Sequence, residues 1–155
     1  MPAKTVSDLN DRKVVCIHKP GGYWISILPA EAASDVNVTS PPTKMTIMVQ
    51  AINDLWRVVD VDAEHGWGPF LYDLAIELAT LNGGQLTGHE HKITEASEAV
   101  WQHYHANRSD VRRENLPEYC VAALPASLRS SLQKTPAIIS ELKKLGKWFE
   151  VRATT

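Results

Sequence analysis

The sequence lacks the features that mark membrane, secreted and disulfide-stabilised proteins. It has no apolar run long enough to cross a bilayer, and its first residues are too polar for a signal peptide. It has only two cysteines, Cys16 and Cys120, which lie far apart in apolar, strand-like runs. We therefore expect buried thiols in a reducing compartment, no disulfide framework, no membrane partner and a cytoplasmic location.

The sequence also lacks an excess of basic charge. Its 16 Lys and Arg residues against 18 Asp and Glu residues give a formal net charge of −2, and this balance argues against a dedicated nucleic-acid binder. With 155 residues, 44% of them hydrophobic, the chain can bury a core of ordinary size. We expect one domain over residues 1–155, with residues 1–12 as a loose lead-in and residues 125–155 as a mixed C-terminal tail.

Signatures of several enzyme classes are missing as well. The chain has no Gly-x-Ser-x-Gly nucleophile turn and no His-Glu-x-x-His zinc motif. His89 and His91 fall in a predicted loop, while His103 and His105 fall on a predicted helix, where side chains two residues apart diverge. We therefore expect no metal site.

Two strand pairs and then a helix are predicted along the first half of the chain. Residues 13–17 and 23–29 flank a Pro-Gly-Gly turn, as the strands of a hairpin do. Residues 44–50 and 55–61 alternate side chains across a short turn, and in the second of these strands the alternation predicts Val58 and Asp60 on one face. Apolar residues at helical spacing then predict a helix over residues 69–81. The helix is expected to end there because Asn-Gly-Gly follows as a stop signal.

The second half of the chain alternates between shorter elements. The predicted strands are 85–87, 118–124 and 148–152, and the predicted helices are 94–107, 127–134 and 137–145. Hairpins followed by alternating strands and helices indicate an α+β fold, an α/β sandwich in which helices flank a mixed sheet.

The junction between a strand and a helix at residues 59–71 is the most informative segment. It consists of Val-Asp-Val-Asp-Ala-Glu-His-Gly-Trp-Gly-Pro-Phe-Leu. Glycines let a backbone approach a ligand closely, and a helix N-terminus presents N–H groups and positive dipole charge, so such a junction can bind a pyrophosphate. The same pattern also occurs as a plain turn and cap. A P-loop is excluded because no Lys-Ser/Thr follows, and Leu71 leaves the dinucleotide-binding Gly-x-Gly-x-x-Gly pattern incomplete.

This junction resembles the acetyl-CoA loop of the GNAT N-acetyltransferase superfamily. In that family a strand, an Arg/Gln-x-x-Gly-x-Gly/Ala turn and a helix hold the cofactor pyrophosphate. Gly66 and Gly68 match the two small positions of the turn, and residues 94–104 resemble the following helix with its Ala-x-x-x-Tyr pattern. The resemblance covers residues 44–111 and implies a GNAT-like mixed, mostly antiparallel sheet flanked by helices.

The resemblance also implies a function, a cofactor and a site. The chain would bind acetyl-CoA and transfer its acetyl group to an amine acceptor. The residues implied at the cofactor are Glu64, His65, Gly66, Trp67, Gly68 and Phe70.

The catalytic roles that the resemblance implies fall on the strand end and the second helix. Tyr104 is the acid that would protonate the departing thiolate, with His103 as the alternative in register. Glu64 and His65 are candidate general bases, as are the strand-end residues Asp60 and Asp62. A solvated loop rim for the acids and a core position for Tyr104 are the structural alternatives.

A second hypothesis is a GNAT-like structural or interaction protein that has lost catalysis. Ala63 stands where the family has Arg or Gln, and Pro69 removes one N–H donor. The loop and the second helix also resemble GNAT-like proteins of tailed bacteriophages, some of which are virion-associated, so a phage virion is the alternative location. Trp67 and Trp101, two of the five tryptophans, either fill the core or belong to a Trp-rich surface that binds a virion or other protein partner.

Overall fold

The computed structural model describes residues 4–31, 45–52, 55–64, 66–87, 108–115 and 130–152. Within these ranges the chain forms one mixed sheet of eight strands, two α-helices and a short 3-10 helix. This arrangement confirms the predicted α+β class.

The strands and helices follow the order of the chain. The strands are β1 (Arg12–Lys19), β2 (Gly22–Pro29), β3 (Thr46–Ile52), β4 (Leu55–Asp62), β5 (Gln85–Thr87), β6 (Val111–Asn115), β7 (Ser130–Lys134) and β8 (Trp148–Arg152). The 3-10 helix is Val6–Leu9, and the α-helices are α1 (Gly68–Leu81) and α2 (Ala137–Lys144). Neither α-helix in these ranges has the length and apolar character of a membrane span.

The strand order in the sheet is β6-β7-β5-β4-β3-β2-β1-β8. Most neighbours are antiparallel, which agrees with the expected mixed, mostly antiparallel sheet. The parallel neighbours are β4 with β5 and β1 with β8. The first of these parallel pairs is connected by α1, because parallel strands require a crossover.

One face of the sheet carries the larger core. Alternate residues of the first four strands, among them Cys16, Ile25, Val49 and Trp56, pack in one cluster with α1, α2 and the 3-10 helix. A smaller cluster of Val15, Ile17 and Leu28 lies on the opposite face, since side chains alternate along a strand. α1 therefore packs on the face that carries the larger core, and its start follows the end of β4 along the chain.

Two predictions in the second half of the chain are corrected. The helix predicted over residues 127–134 is wrong in the described part, because Ser130–Lys134 forms strand β7 between β6 and β5. Strand β6 was not predicted. The pairing partners of β7 are distant in sequence, and buried Leu132 faces Leu86 across the pair, so local spacing gave the wrong period.

Other expectations meet the structure only in part. Within the expected lead-in, Val6 and Leu9 are buried, and the side chain of Asp8 accepts the backbone N–H of Thr5 at 2.8 Å. In the expected C-terminal tail, β7 and β8 belong to the main sheet. The helix predicted over 94–107 and the strand over 118–124 lie outside the described residues.

Candidate functional site

Residues 58–62 of β4 lie beyond the part of the strand whose pairing with β5 the structure describes, and we call them the extension of β4. The parallel pairing joins Leu55 to Gln85, Trp56 to Leu86 and Arg57 to Thr87. On its other side β4 pairs with β3 as far as Asp62. Among the described residues, no strand pairs with positions 58–62 on the β5 side.

A β-bulge interrupts β4 within this extension. Met48 of β3 faces Asp60, while the next residue of β3 faces Val58, so Val59 is the extra residue and is 51% exposed. The simple alternation expected for β4, with Asp60 on the side of Val58, is therefore wrong. Val61 returns to the core, and Asp60 lies on the opposite face with Arg57. Bulges re-aim side chains in this way and are common beside active sites.

The loop after β4 is shaped by backbone hydrogen bonds. The N–H of Trp67 donates to the carbonyl of Glu64 at 3.0 Å, and the N–H of Leu71 donates to the carbonyl of Trp67 at 3.0 Å. Gly66 has φ +88°, a conformation that favours glycine. These bonds form a tight turn that enters α1 directly.

The start of α1 is open around Gly68. A Cβ atom added at Gly68 would meet nothing within 4 Å, whereas one added at Gly66 would lie 3.2 Å from Cγ of Lys4. The first turn of α1 holds no acidic residue, and Trp67 gives no side-chain cap. The positive end of the helix dipole is therefore balanced by no side chain of that turn.

Trp67 and Phe70 lie in the core and not on the loop surface. Trp67 is 3% exposed and Phe70 is 1% exposed, and their rings pack edge to face with centroids 5.3 Å apart. The guanidinium of Arg12 lies 4.7 Å from the centroid of the Trp67 ring. Of the two interpretations of Trp67, the structure shows core filling. Among the other described tryptophans, Trp56 and Trp148 are also buried and Trp24 is partly buried. Trp101 lies outside the described residues, so its place on a Trp-rich surface stays a prediction.

Of the remaining predicted site residues, the structure describes some and leaves others outside its described ranges. Glu64 is exposed beside the turn, and its backbone N–H lies 3.2 Å from Sδ of Met45. His65, His103 and Tyr104 lie outside the described residues, so their roles stay predictions.

A groove of about 670 Å³ lies on the sheet face away from α1. Its side chains come from β1 to β4 and include Lys19, Trp24, Met48, Gln50, Arg57 and Asp60. Nζ of Lys19 is 3.7 Å from the centroid of the Trp24 ring. The groove thus combines an apolar floor with both signs of charge, and the bulge brings Asp60 into it.

Sequence reasoning missed a further cluster at the other end of the sheet. Parallel pairing of β1 with β8 sets Cys16 opposite Glu150, and His18 follows on the same face of β1. Nε2 of His18 lies 2.9 Å from Oε1 of Glu150. The only local signal is Cys-x-His in a strand, since Glu150 is brought in by a pairing between the two ends of the chain.

The far end of α1 holds a buried ion pair. Glu77 is 0% exposed and accepts a hydrogen bond from Nζ of Lys134 and backbone N–H bonds from Ile139 at 2.8 Å and Ile138 at 3.2 Å. Burial raises the pKa of Glu77, and these donors oppose the rise. The pair fixes α1 to β7 and α2.

No protein-family model, curated protein or solved structure matches this chain to a significant degree.

Proposed function

We propose that this protein binds acetyl-CoA at the junction of β4 and α1 and transfers the acetyl group to an amine, as the GNAT resemblance implies. The observation that carries the proposal is the tight turn from β4 into α1, whose first helical turn holds no acidic residue and has space at Gly68. Such a junction places a strand end and a helix N-terminus next to each other.

The start of α1 suits the pyrophosphate. A helix N-terminus favours anions through its free N–H groups and its dipole. The open space at Gly68 admits a phosphate close to the backbone, and no carboxylate of the first turn competes with it. Pro69 contributes no N–H, and the N–H groups of Trp67 and Leu71 already donate to carbonyls. The donors within the first turn would therefore be those of Gly68 and Phe70.

The edge of β4 suits the extended, amide-bearing arm of CoA. Extended ligands add to an exposed strand edge through main-chain hydrogen bonds. Positions 58–62 provide such an edge on the β5 side within the described residues. The arm would then lead from the turn at Gly68 toward the bulge at Val59.

Acetyl transfer needs a base for the amine and a proton for the thiolate. The amine nitrogen attacks the thioester carbonyl, the C–S bond breaks, and the amine gives up its proton. Asp60 lines the groove next to the bulge, so this carboxylate can accept that proton directly or through water. Glu64, also exposed, is a second candidate base beside the turn, and Tyr104 is the thiolate acid that the resemblance implies.

Calorimetric titration with acetyl-CoA and with CoA tests this function. We expect micromolar binding by the unmodified protein. Gly68→Glu should weaken it at least about tenfold, because a carboxylate would occupy the phosphate position. Gly68→Gln is the matched control, since it adds the same bulk without the charge.

The outcomes separate the placement of the site from the function itself. Binding by both the Gly68→Glu and the Gly68→Gln protein that is as tight as that of the unmodified protein would refute the phosphate position. No binding by the unmodified protein would refute acetyl transfer and favour the non-catalytic structural or interaction protein, a virion component included. Ala63 and Pro69 would then be the residues that closed the site.

A further inference from the structure

Cys16, His18 and Glu150 present three different metal-ligating atoms at one end of the sheet. One ligand atom of each side chain lies within 4.8 Å of the others. Cys16 and His18 are two residues apart on β1 and share a face, and Glu150 is the direct partner of Cys16 on β8. We propose that these three residues bind a zinc-type transition-metal ion.

The donor set is one that zinc accepts. Thiolate sulfur, imidazole nitrogen and carboxylate oxygen bind zinc at about 2.0–2.3 Å, which places tetrahedral ligands about 3.5 Å apart. The side chains of His18 and Glu150 are 26% and 44% exposed, so they have room for the small rotations that close the cluster. Thiolate and carboxylate together balance the charge of a divalent ion, and a fourth position remains for water or another donor.

Neighbouring side chains orient the ligands, as outer-shell groups do at metal sites. Nε1 of Trp148 donates a hydrogen bond to Oε2 of Glu150 at 3.2 Å, which leaves Oε1 turned toward His18. The ring of Tyr23 packs edge-on against the His18 ring, with centroids 4.8 Å apart. Tyr23 is itself stacked on Trp56 of the core, so the imidazole has a fixed support.

Two other roles for the cluster fit less well. A nucleophilic cysteine lies in a partially exposed, electropositive environment, whereas Cys16 is 0% exposed and faces the Glu150 carboxylate. A plain His18–Glu150 ion pair accounts for two of the three residues and leaves Cys16 with core packing alone. A metal ion uses all three residues, because it displaces the thiol proton and replaces the direct contact between His18 and Glu150.

Titration of the purified, metal-free protein with Co²⁺ tests the site. Cobalt takes zinc positions and gives a thiolate-to-cobalt absorption band in the near ultraviolet when sulfur is a ligand. We expect one Co²⁺ per chain, with this band, and its loss when Zn²⁺ is added. Cys16→Ser should abolish the band, while Cys120→Ser, the matched control at the other cysteine, should keep it.

Variants of the exposed ligands keep the test valid if Cys16→Ser fails to fold. His18→Gln and Glu150→Gln should each weaken Co²⁺ binding strongly, and Trp148→Phe should weaken it about 10–100-fold through the lost hydrogen bond. Absence of the band in the unmodified protein would overturn the proposal. Its persistence in Cys16→Ser, or its loss in Cys120→Ser alone, would also overturn it.

Discussion

The regions at the two ends of α1 differ in whether a carboxylate of the protein binds the N–H groups of a helix start. Near its far end, Glu77 is fully buried, and its carboxylate accepts the N–H groups of Ile138 and Ile139 at the start of α2. At the near end, the first turn of α1 has no acidic residue and no side-chain cap. The start of α2 therefore holds an anion supplied by the protein itself, whereas the first turn of α1 supplies none.

The difference indicates which end is structural and which is available to a ligand. A carboxylate satisfies the free N–H groups of α2, so that junction gains a fixed, buried partner. At the start of α1, an anion that binds the N–H groups must come from outside the first turn, and there is space for it at Gly68. The comparison supports a phosphate at α1 without assigning one to α2.

Removing the internal anion should have the largest effect. Glu77→Ala leaves Lys134 buried without its partner and frees the two N–H groups of α2, so we expect the free energy of unfolding to fall by about 3–5 kcal/mol. Chemical denaturation of the two proteins measures the difference. A loss of unfolding free energy below about 1 kcal/mol would show that the ion pair does not fix α1 to β7 and α2.

Trp67→Ala should have the next largest effect. The ring is buried against Phe70 and Arg12, and its removal should cost about 3 kcal/mol of unfolding free energy, toward the lower end for a large aromatic because the adjoining turn can move. Thermal and chemical denaturation measure the loss. A nearly unchanged stability together with weaker binding to a protein partner would instead restore Trp67 as an interface anchor.

An anion placed at the start of α1 should stabilise it. In the absence of ligand, we expect Gly68→Glu to be more stable than Gly68→Gln by about 0.3–1 kcal/mol at low salt, because its charge meets the positive end of the helix dipole. The advantage should shrink at high salt. A less stable Gly68→Glu at every salt concentration would contradict the account of an unbalanced helix start.

The smallest effect concerns the middle of α1, where Arg108 contacts both Asp73 and Asp110. The hydrogen bond from Arg108 lowers the pKa of Asp110 below its ordinary value of 3.8, so Asp110 contributes stability above that pH and loses it as the pH falls through the lower, folded value. Asp110 is half exposed, so we expect less than about 1 kcal/mol. In Asp110→Asn, the fall in unfolding free energy between about pH 5 and pH 2 should be smaller than in the unmodified protein by that amount. An unchanged pH profile would exclude the contribution of Asp110.

Local patterns in the sequence predicted much of the fold. The Pro-Gly-Gly turn, the alternation of β3 and the Asn-Gly-Gly stop placed β1 to β4 and α1 within a few residues of their observed bounds. Strands β5 and β8 were placed at their observed ends. Each of these elements is specified by residues close together in the chain.

Features that depend on distant partners could not be predicted in this way. β7 is a strand because β5 and β6 pair with it, although its own residues also suit a helix. The bulge at Val59 becomes visible only in the pairing with β3. The cluster of Cys16, His18 and Glu150 needs the parallel contact of β1 with β8, for which the sequence carries no local signal.

The candidate site was predicted in outline but not in detail. The strand, turn and helix at residues 59–71 form as expected, and Gly66 adopts the positive φ that the turn requires. Hydrophobicity alone did not distinguish a ligand contact from a core position for Trp67 and Phe70. The roles of His65, His103 and Tyr104 stay predictions.

Hydrogen–deuterium exchange with and without acetyl-CoA tests the central claim most directly. We expect the ligand to slow amide exchange in the extension of β4 and across the turn to Leu71. Amides around Glu77 and the start of α2 should change little, since the internal carboxylate already holds them. Protection confined to that far end, or no protection anywhere at saturating acetyl-CoA, would contradict the account.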